Sequence, residues 1–283
     1  MKQVAPLRYD VIFKKAFSHP NLFIALVKDF IGIELEIDEV ENDKGFVPAV
    51  GSVATQFDLF AQDKKNRVIV EVQHANYSDT YERFIYYQCS AMVETIISSG
   101  NYRFPVTVIT LVFFTGKKTP SPDSGIIVHA FEPRDFITGK LLDNIYEYKH
   151  KLIFVFTNKS AHKKTPEPYR EWMRAIYDSL DEQVDEETYT NPSIGELFQV
   201  IEKDKITPEE RACMKDEYNH EEAKKKAKDE GFQKGKKEGE EKGRKEGEEK
   251  IKEAACNLKA LGTLTDEQIA SATGLSLEMV KAL

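Results

Sequence analysis

Two carboxylates and an amide, Asp58, Glu71 and Gln73, flank a short charged turn, Asp63-Lys64-Lys65-Asn66. The runs on either side, Thr55 to Gln62 and Arg67 to Gln73, are β-branched, aromatic and alternating. Two such runs joined by a polar turn predict a β-hairpin. Pairing Gln62 with Arg67 sets Phe60 opposite Ile69 and Asp58 opposite Glu71. With a side-chain period of two, Asp58, Glu71 and Gln73 would share one face. Opposed residues lie about 4.5–5.5 Å apart at Cβ, where two like charges destabilise a sheet. A divalent cation between them would offset that repulsion, and hard oxygen donors suit Mg2+ or Mn2+ rather than zinc. The alternative is a solvated face on which both acids are ordinary surface residues, and a one-residue slip in register would part the pair. Spacing alone does not choose between the two.

The elements around the hairpin follow from apolar periodicity. Phe13 and Phe17, then Leu22, Phe23, Leu26, Val27 and Phe30, recur at helical spacing and are interrupted by Ser18-His19-Pro20-Asn21, which predicts two linked helices. Ile33 to Val40 alternates and reads as a strand. Ser78 to Ser99 returns to a helical pattern, with Gly100 as its C-cap. Val106 to Phe114 is a near-continuous apolar strand of the kind buried on both faces, and Ile126–Phe131 and Lys151–Phe156 extend the same sheet. Helical patterns follow around Tyr169–Leu180, Ser193–Lys203 and Pro208–His220. The order of elements predicts an α/β or α+β core with helices covering the sheet.

A second motif, Arg8-Tyr9-Asp10-Val11-Ile12-Phe13-Lys14-Lys15-Ala16-Phe17, opens the first helix. Together with Asp58, Glu71-Val72-Gln73 and the later Arg83-Phe84-Ile85-Tyr86-Tyr87, it resembles the PD-(D/E)XK nuclease family transposases, also called the recombination-promoting nuclease family. The motifs stand in the family's order over about the first half of the chain, and the tail is similar to the family's tails. The resemblance implies a restriction-endonuclease-like α/β core of helix, β-meander, crossover helix and strand, with a helical C-terminal extension. It implies that Asp58 and Glu71 are the metal-binding acids and that Asp10 is the acid on the leading helix. Gln73 then stands where the wider superfamily has lysine, and Arg83 stands near phosphate. The change at Gln73 matters because lysine could stabilise charge on phosphate or help activate water, whereas a neutral amide can only orient groups by hydrogen bonds.

At 283 residues and 41% hydrophobic, the chain can build one large or two modest domains. No signal-like pattern and no membrane-length apolar run are present, so a cytoplasmic protein without membrane association is expected. The cysteines, Cys89, Cys213 and Cys256, lack metal spacing. The net charge of -8 runs against nucleic-acid binding. Residues 221–253 carry 12 basic and 11 acidic side chains and residues 254–283 two basic and three acidic, so the excess lies in residues 1–220. Lys14-Lys15, Lys117-Lys118 and Lys163-Lys164 read as solvated rims. A metal ion would invert the local field, so the acidic balance weakens a DNA partner without excluding it.

In residues 221–253, Gly231, Gly235, Gly239, Gly243 and Gly247 recur every fourth position among lysines and glutamates. Each glycine costs a helix about 1 kcal/mol relative to alanine, while an i,i+4 ion pair returns a few tenths. A long, weakly stable helix is the favoured reading, with a flexible linker as the alternative and charge excluding a membrane helix pair. Residues 254–283 regain amphipathic order, and Ala270, Gly274 and Val280 have the spacing of a helix-turn-helix. The last helix is short and has Lys281 as its one base, so packing or homo-oligomer formation suits it better than base readout. The expected division is a nuclease-like core over 1–160, a helical extension over 161–220, the glycine-periodic segment over 221–253 and a small helical tail over 254–283.

No phosphate-binding G-x-x-x-x-G-K-[ST] loop and no H-E-x-x-H zinc pair occurs, and Ser160-x-x-Lys163 lacks companion motifs. His74 should face away from the carboxylates in a regular strand. The resulting expectation is a Mg2+- or Mn2+-dependent DNA endonuclease that hydrolyses phosphodiester bonds. The competing expectation is a catalytically weak nucleic-acid-binding or assembly protein that keeps the fold.

Overall fold

The computed structural model describes every residue except 47–52, 75–79, 97–99, 117–121, 143–148 and 160–161. A two-residue strand, β1 (Lys2–Gln3), leads into two helices, α1 (Asp10–Phe17) and α2 (Pro20–Ile31). Pro20 opens α2, where a missing amide costs nothing, and Gly32 closes it at φ 77°, a conformation other residues resist. Three antiparallel strands follow, β2 (Glu41–Phe46), β3 (Thr55–Gln62) and β4 (Asn66–Gln73). Helix α3 (Thr80–Val93) then crosses over to β5 (Thr107–Phe114), which runs parallel to β4. Strands β6 (Ile126–Ala130) and β7 (Lys151–Phe156) complete a six-stranded mixed sheet in the order β2-β3-β4-β5-β7-β6.

Helix α4 (Glu167–Asp178), strand β8 (Gln183–Val184) and helix α5 (Pro192–Val200) come next, and β8 pairs with β1. On one face of the sheet Leu59, Val70, Leu111 and Phe113 join residues of α1, α2, α4 and α5 in the main core, which includes the buried Trp172. On the other face Ile69, Val108, Val112 and Phe154 lie in two smaller clusters with residues of α3. Buried Gln88 fixes α3 to the sheet, since its Nε2 donates to the Val108 carbonyl at 3.1 Å and its Oε1 accepts from Thr110 Oγ1 at 2.6 Å.

A 53-residue helix, α6 (Pro208–Ala260), is followed by α7 (Asp266–Thr273) and α8 (Leu277–Ala282). The chain divides after Tyr218 into two units. In the second, Ala255, Ile269 and Val280 form a small core, and Thr265 and Gln268 make a capping box at the start of α7. The periodic glycines lie within α6, and a Cβ added at any of them would meet nothing within 4 Å. No described helix is long and apolar enough to cross a membrane.

Two expectations are corrected. Ile33–Val40 is not a strand. Its alternation reflects burial instead, because Leu35 and Val40 belong to the main core and Ile33 and Ile37 pack against it without ladder partners. Helix α3 ends at Val93, seven residues before Gly100. There the Thr95 hydroxyl and amide both donate to the Met92 carbonyl, at 2.7 and 3.1 Å, tightening the end of the helix. Lys117-Lys118 and Ser160 lie outside the described residues.

Candidate metal and phosphodiester site

The hairpin forms in the expected register, with Gln62 opposite Arg67 and Phe60 opposite Ile69. Asp63 builds the turn, its Oδ1 accepting from the amides of Lys65 at 2.7 Å and Asn66 at 2.6 Å. Beyond Leu59 and Val70 the ladder gives way to side chains. Glu71 Oε1 accepts from the Asp58 amide at 3.2 Å, and Asp58 Oδ2 accepts from the Val72 amide at 3.0 Å.

The sharing of one face by Asp58, Glu71 and Gln73 does not follow from regular alternation, because alternation in β3 slips at Asp58. Phe57 packs with Phe60 and Ile69 on the α3 side, whereas the intervening Leu59 joins the opposite face. Across the sheet, Asn42 pairs with Leu59 and Lys44 with Phe57, so Asp43 and Asp58 are both passed over. Asp43 has φ 54°, a left-handed conformation that Asp tolerates better than most residues. Pairing resumes in the same register on both sides, so no residue is inserted, and Asp43 and Asp58 fall at one locally broken step of the ladder.

Glu71 is buried, and burial, followed by the charge of Asp58, holds its carboxyl well above the usual range, while the Asp58 amide and Arg83 act the other way. Burial and the Asp10 charge push Asp58 up to about 6, against the Val72 amide and Lys14. Both shifts run in the same direction, so the neutral form of each carboxyl is favoured in the folded chain.

Gln73 lies at the end of β4, and its Oε1 accepts from Arg83 Nη2. The Arg83 guanidinium rests 4.7 Å over the Phe84 ring, on the helix fixed by Gln88. Asp10 opens α1. Tyr9, the N-cap of this helix, offers no side-chain bond, and the first amide is met instead by Glu217 Oε2 of α6 at 3.1 Å. Asp10 Oδ2 accepts from Lys14 Nζ at 2.7 Å, and its Oδ1 is buried without a hydrogen bond. Lys14 Nζ also reaches Asp43 Oδ1 at 2.6 Å. The Lys14 side chain is only 13% exposed and Lys15 is bonded to Glu210, so this pair is not the solvated rim its sequence suggested. The signal that could have placed Lys14 is its i,i+4 spacing from Asp10. His74 Nδ1 pairs with Thr115 Oγ1 at 2.9 Å, each one residue past the end of neighbouring strands β4 and β5.

A family model, PD-(D/E)XK nuclease family transposase, matches residues 7–231. The chain belongs to the PD-(D/E)XK nuclease family transposases. Comparison with curated proteins and with solved structures finds no match. The mixed sheet, antiparallel meander and crossover helix are consistent with a PD-(D/E)XK nuclease fold, and the family typically uses divalent metals. In this PD-(D/E)XK chain the donor set fits a hard cation in part. Asp58 and Glu71 offer hard oxygens close enough that the Asp58 charge opposes ionisation of Glu71. Among the described residues, no group of three or more His, Cys, Asp or Glu side chains is arranged to hold a metal. Asp10, the implied third acid, is turned to Lys14.

Proposed function

We propose that this protein is a Mg2+- or Mn2+-dependent endonuclease that hydrolyses phosphodiester bonds in DNA. The observation that carries the reading is the Asp58–Glu71 pair: two carboxyls held by crossed bonds to each other's strand at a buried or half-buried position, where burial and neighbouring carboxylate charge suppress their acidity. Asp58 and Glu71 would hold the metal. A bound divalent ion would polarise the scissile phosphate and acidify water. Val72 and Asp58 amides fix the orientation of the two carboxylates, leaving their other oxygens for a ligand. Gln73 orients the attacking water or a phosphate oxygen and is itself oriented by Arg83. Asp10 assists from α1. In this reading residues 1–160 are the nuclease-like core, 161–220 a helical extension and 221–283 the tail, and the protein works in the cytoplasm. Plasmid DNA incubated with Mg2+ or Mn2+ should be cut by the wild type and left intact by Glu71→Ala. Equal cutting by both would sink the assignment.

A second reading is favoured by one observation. Gln73 is neutral and its amide oxygen is engaged by Arg83, so the strand supplies no cation where the superfamily has lysine. The protein would then bind nucleic acid or assemble, and cleave poorly. If assembly runs through the tail, sedimentation mass should fall when the chain is cut after His220.

A further inference from the structure

Lys14 links parts of the site that the hairpin does not. Its ammonium bridges Asp10 on α1 and Asp43 on β2, and it lies in the field of Asp58. Burial works to strip its proton, yet the bonds to Asp10 and Asp43 outweigh that and raise its pKa. The free site is therefore not bare acid but is held by an internal cation. Asp10, Lys14, Lys15, Asn42, Asp43 and Glu217 line a cavity of about 540 Å³, so the ammonium has space beside it for a phosphate group. Gln73 cannot supply a positive charge there, and a divalent cation drawing on Asp10 would repel an ammonium on the same carboxylate.

We propose that Lys14 is the displaceable counter-ion of this site: it neutralises Asp10 and Asp43 while no divalent cation is bound, and it turns to a DNA phosphate when one is. The inference rests on the metal-dependent reading above. It makes two affinities depend on one side chain. Removing the ammonium should tighten metal binding, because a competitor is gone. The same change should weaken the gain in DNA affinity that metal brings, because the released cation is missing.

The test is calorimetric titration of Mn2+ into the whole metal-free chain as wild type, Lys14→Met, Lys15→Met and Asp58→Asn. Lys15→Met removes an equal charge from the next position, where the lysine is tied to Glu210 instead. Lys14→Met should bind Mn2+ about fivefold or more tighter than wild type, the lower end of typical coupling between sites, and also tighter than Lys15→Met. In a second measurement, fluorescence anisotropy with a labelled DNA duplex, added Ca2+ should strengthen binding to the wild type by a larger factor than binding to Lys14→Met. Mn2+ affinity in Lys14→Met no higher than in Lys15→Met would overturn the role of Lys14, as would an unchanged Ca2+ effect. Wild type that fails to bind Mn2+, or Asp58→Asn that binds it equally well, would instead overturn the metal site on which the inference stands.

Discussion

Glu71 accepts a hydrogen bond from the backbone amide of Asp58, while the Asp58 carboxylate reaches across to the amide of Val72, at 3.2 and 3.0 Å. Each acid thus closes the backbone ladder where the other departs from it. The crossed bonds satisfy amides that the break in the ladder would otherwise leave open and hold two repelling groups near each other.

This contact makes stability depend on pH. The folded-state pKa values of both groups are raised, to about 6 for Asp58, so between the unfolded values and these the folded chain holds more protons. Stability of the metal-free protein should therefore be greatest near the low end of that window and fall as pH rises through 6, by about 1.4 kcal/mol for each tenfold weakening of an acid on folding. Urea unfolding of the metal-free chain from pH 5 to 8 measures this. In Glu71→Gln the decline should be shallower, and the variant should exceed wild type in stability at pH 8.

Metal should compete with the protons that the raised pKa values retain. A saturating ion at about 100 times its dissociation constant stabilises a folded protein by about 2.7 kcal/mol. The rise in melting temperature with Mn2+ is therefore expected to be larger at pH 8 than at pH 5.5, and absent in Asp58→Asn. A shift of equal size at both pH values would place the ion elsewhere.

Gln88→Ala should lower stability by about 2 kcal/mol through loss of two buried hydrogen bonds, read as a lower urea midpoint. Because α3 also carries Arg83, the contact of Arg83 with Gln73 should loosen, and cleavage should fall more than stability alone would predict at temperatures where the variant stays folded.

Along α6 the glycine positions face open space, so alanine meets no steric bar. Gly235→Ala with Gly239→Ala should strengthen the helix by about 1 kcal/mol per site and raise the helical circular dichroism signal. The surrounding ion pairs add little. Lys234–Glu238, Lys236–Glu240 and Lys242–Glu246 all place lysine first, the weaker orientation, with nitrogens 3.8–3.9 Å from oxygens.

The hairpin register was readable because Asp63-Lys64-Lys65-Asn66 is a polar turn between alternating runs, and β5 because Val108 to Phe114 is apolar on both faces. Family order pointed to Asp10, Asp58, Glu71 and Gln73. The slip at Asp58 was not readable, since it coincides with a left-handed backbone at Asp43 in a different strand. Ile33–Val40 misled for a related reason: a period of two records which side is buried, not whether a neighbouring strand supplies bonds. Lys14 was hidden because a lysine pair has the same composition at a solvated rim and inside a carboxylate cluster.

The bond from Glu217 to the first amide of α1 bears on how far this protein can be shortened. A fragment ending at residue 160, or at Thr207 before α6, would retain every acid of the hairpin yet expose the end of the helix that holds Asp10, and would strip Lys15 of Glu210. The smallest piece that keeps α1 fully bonded extends past Glu217, far beyond Phe156, where the last strand of the large sheet ends.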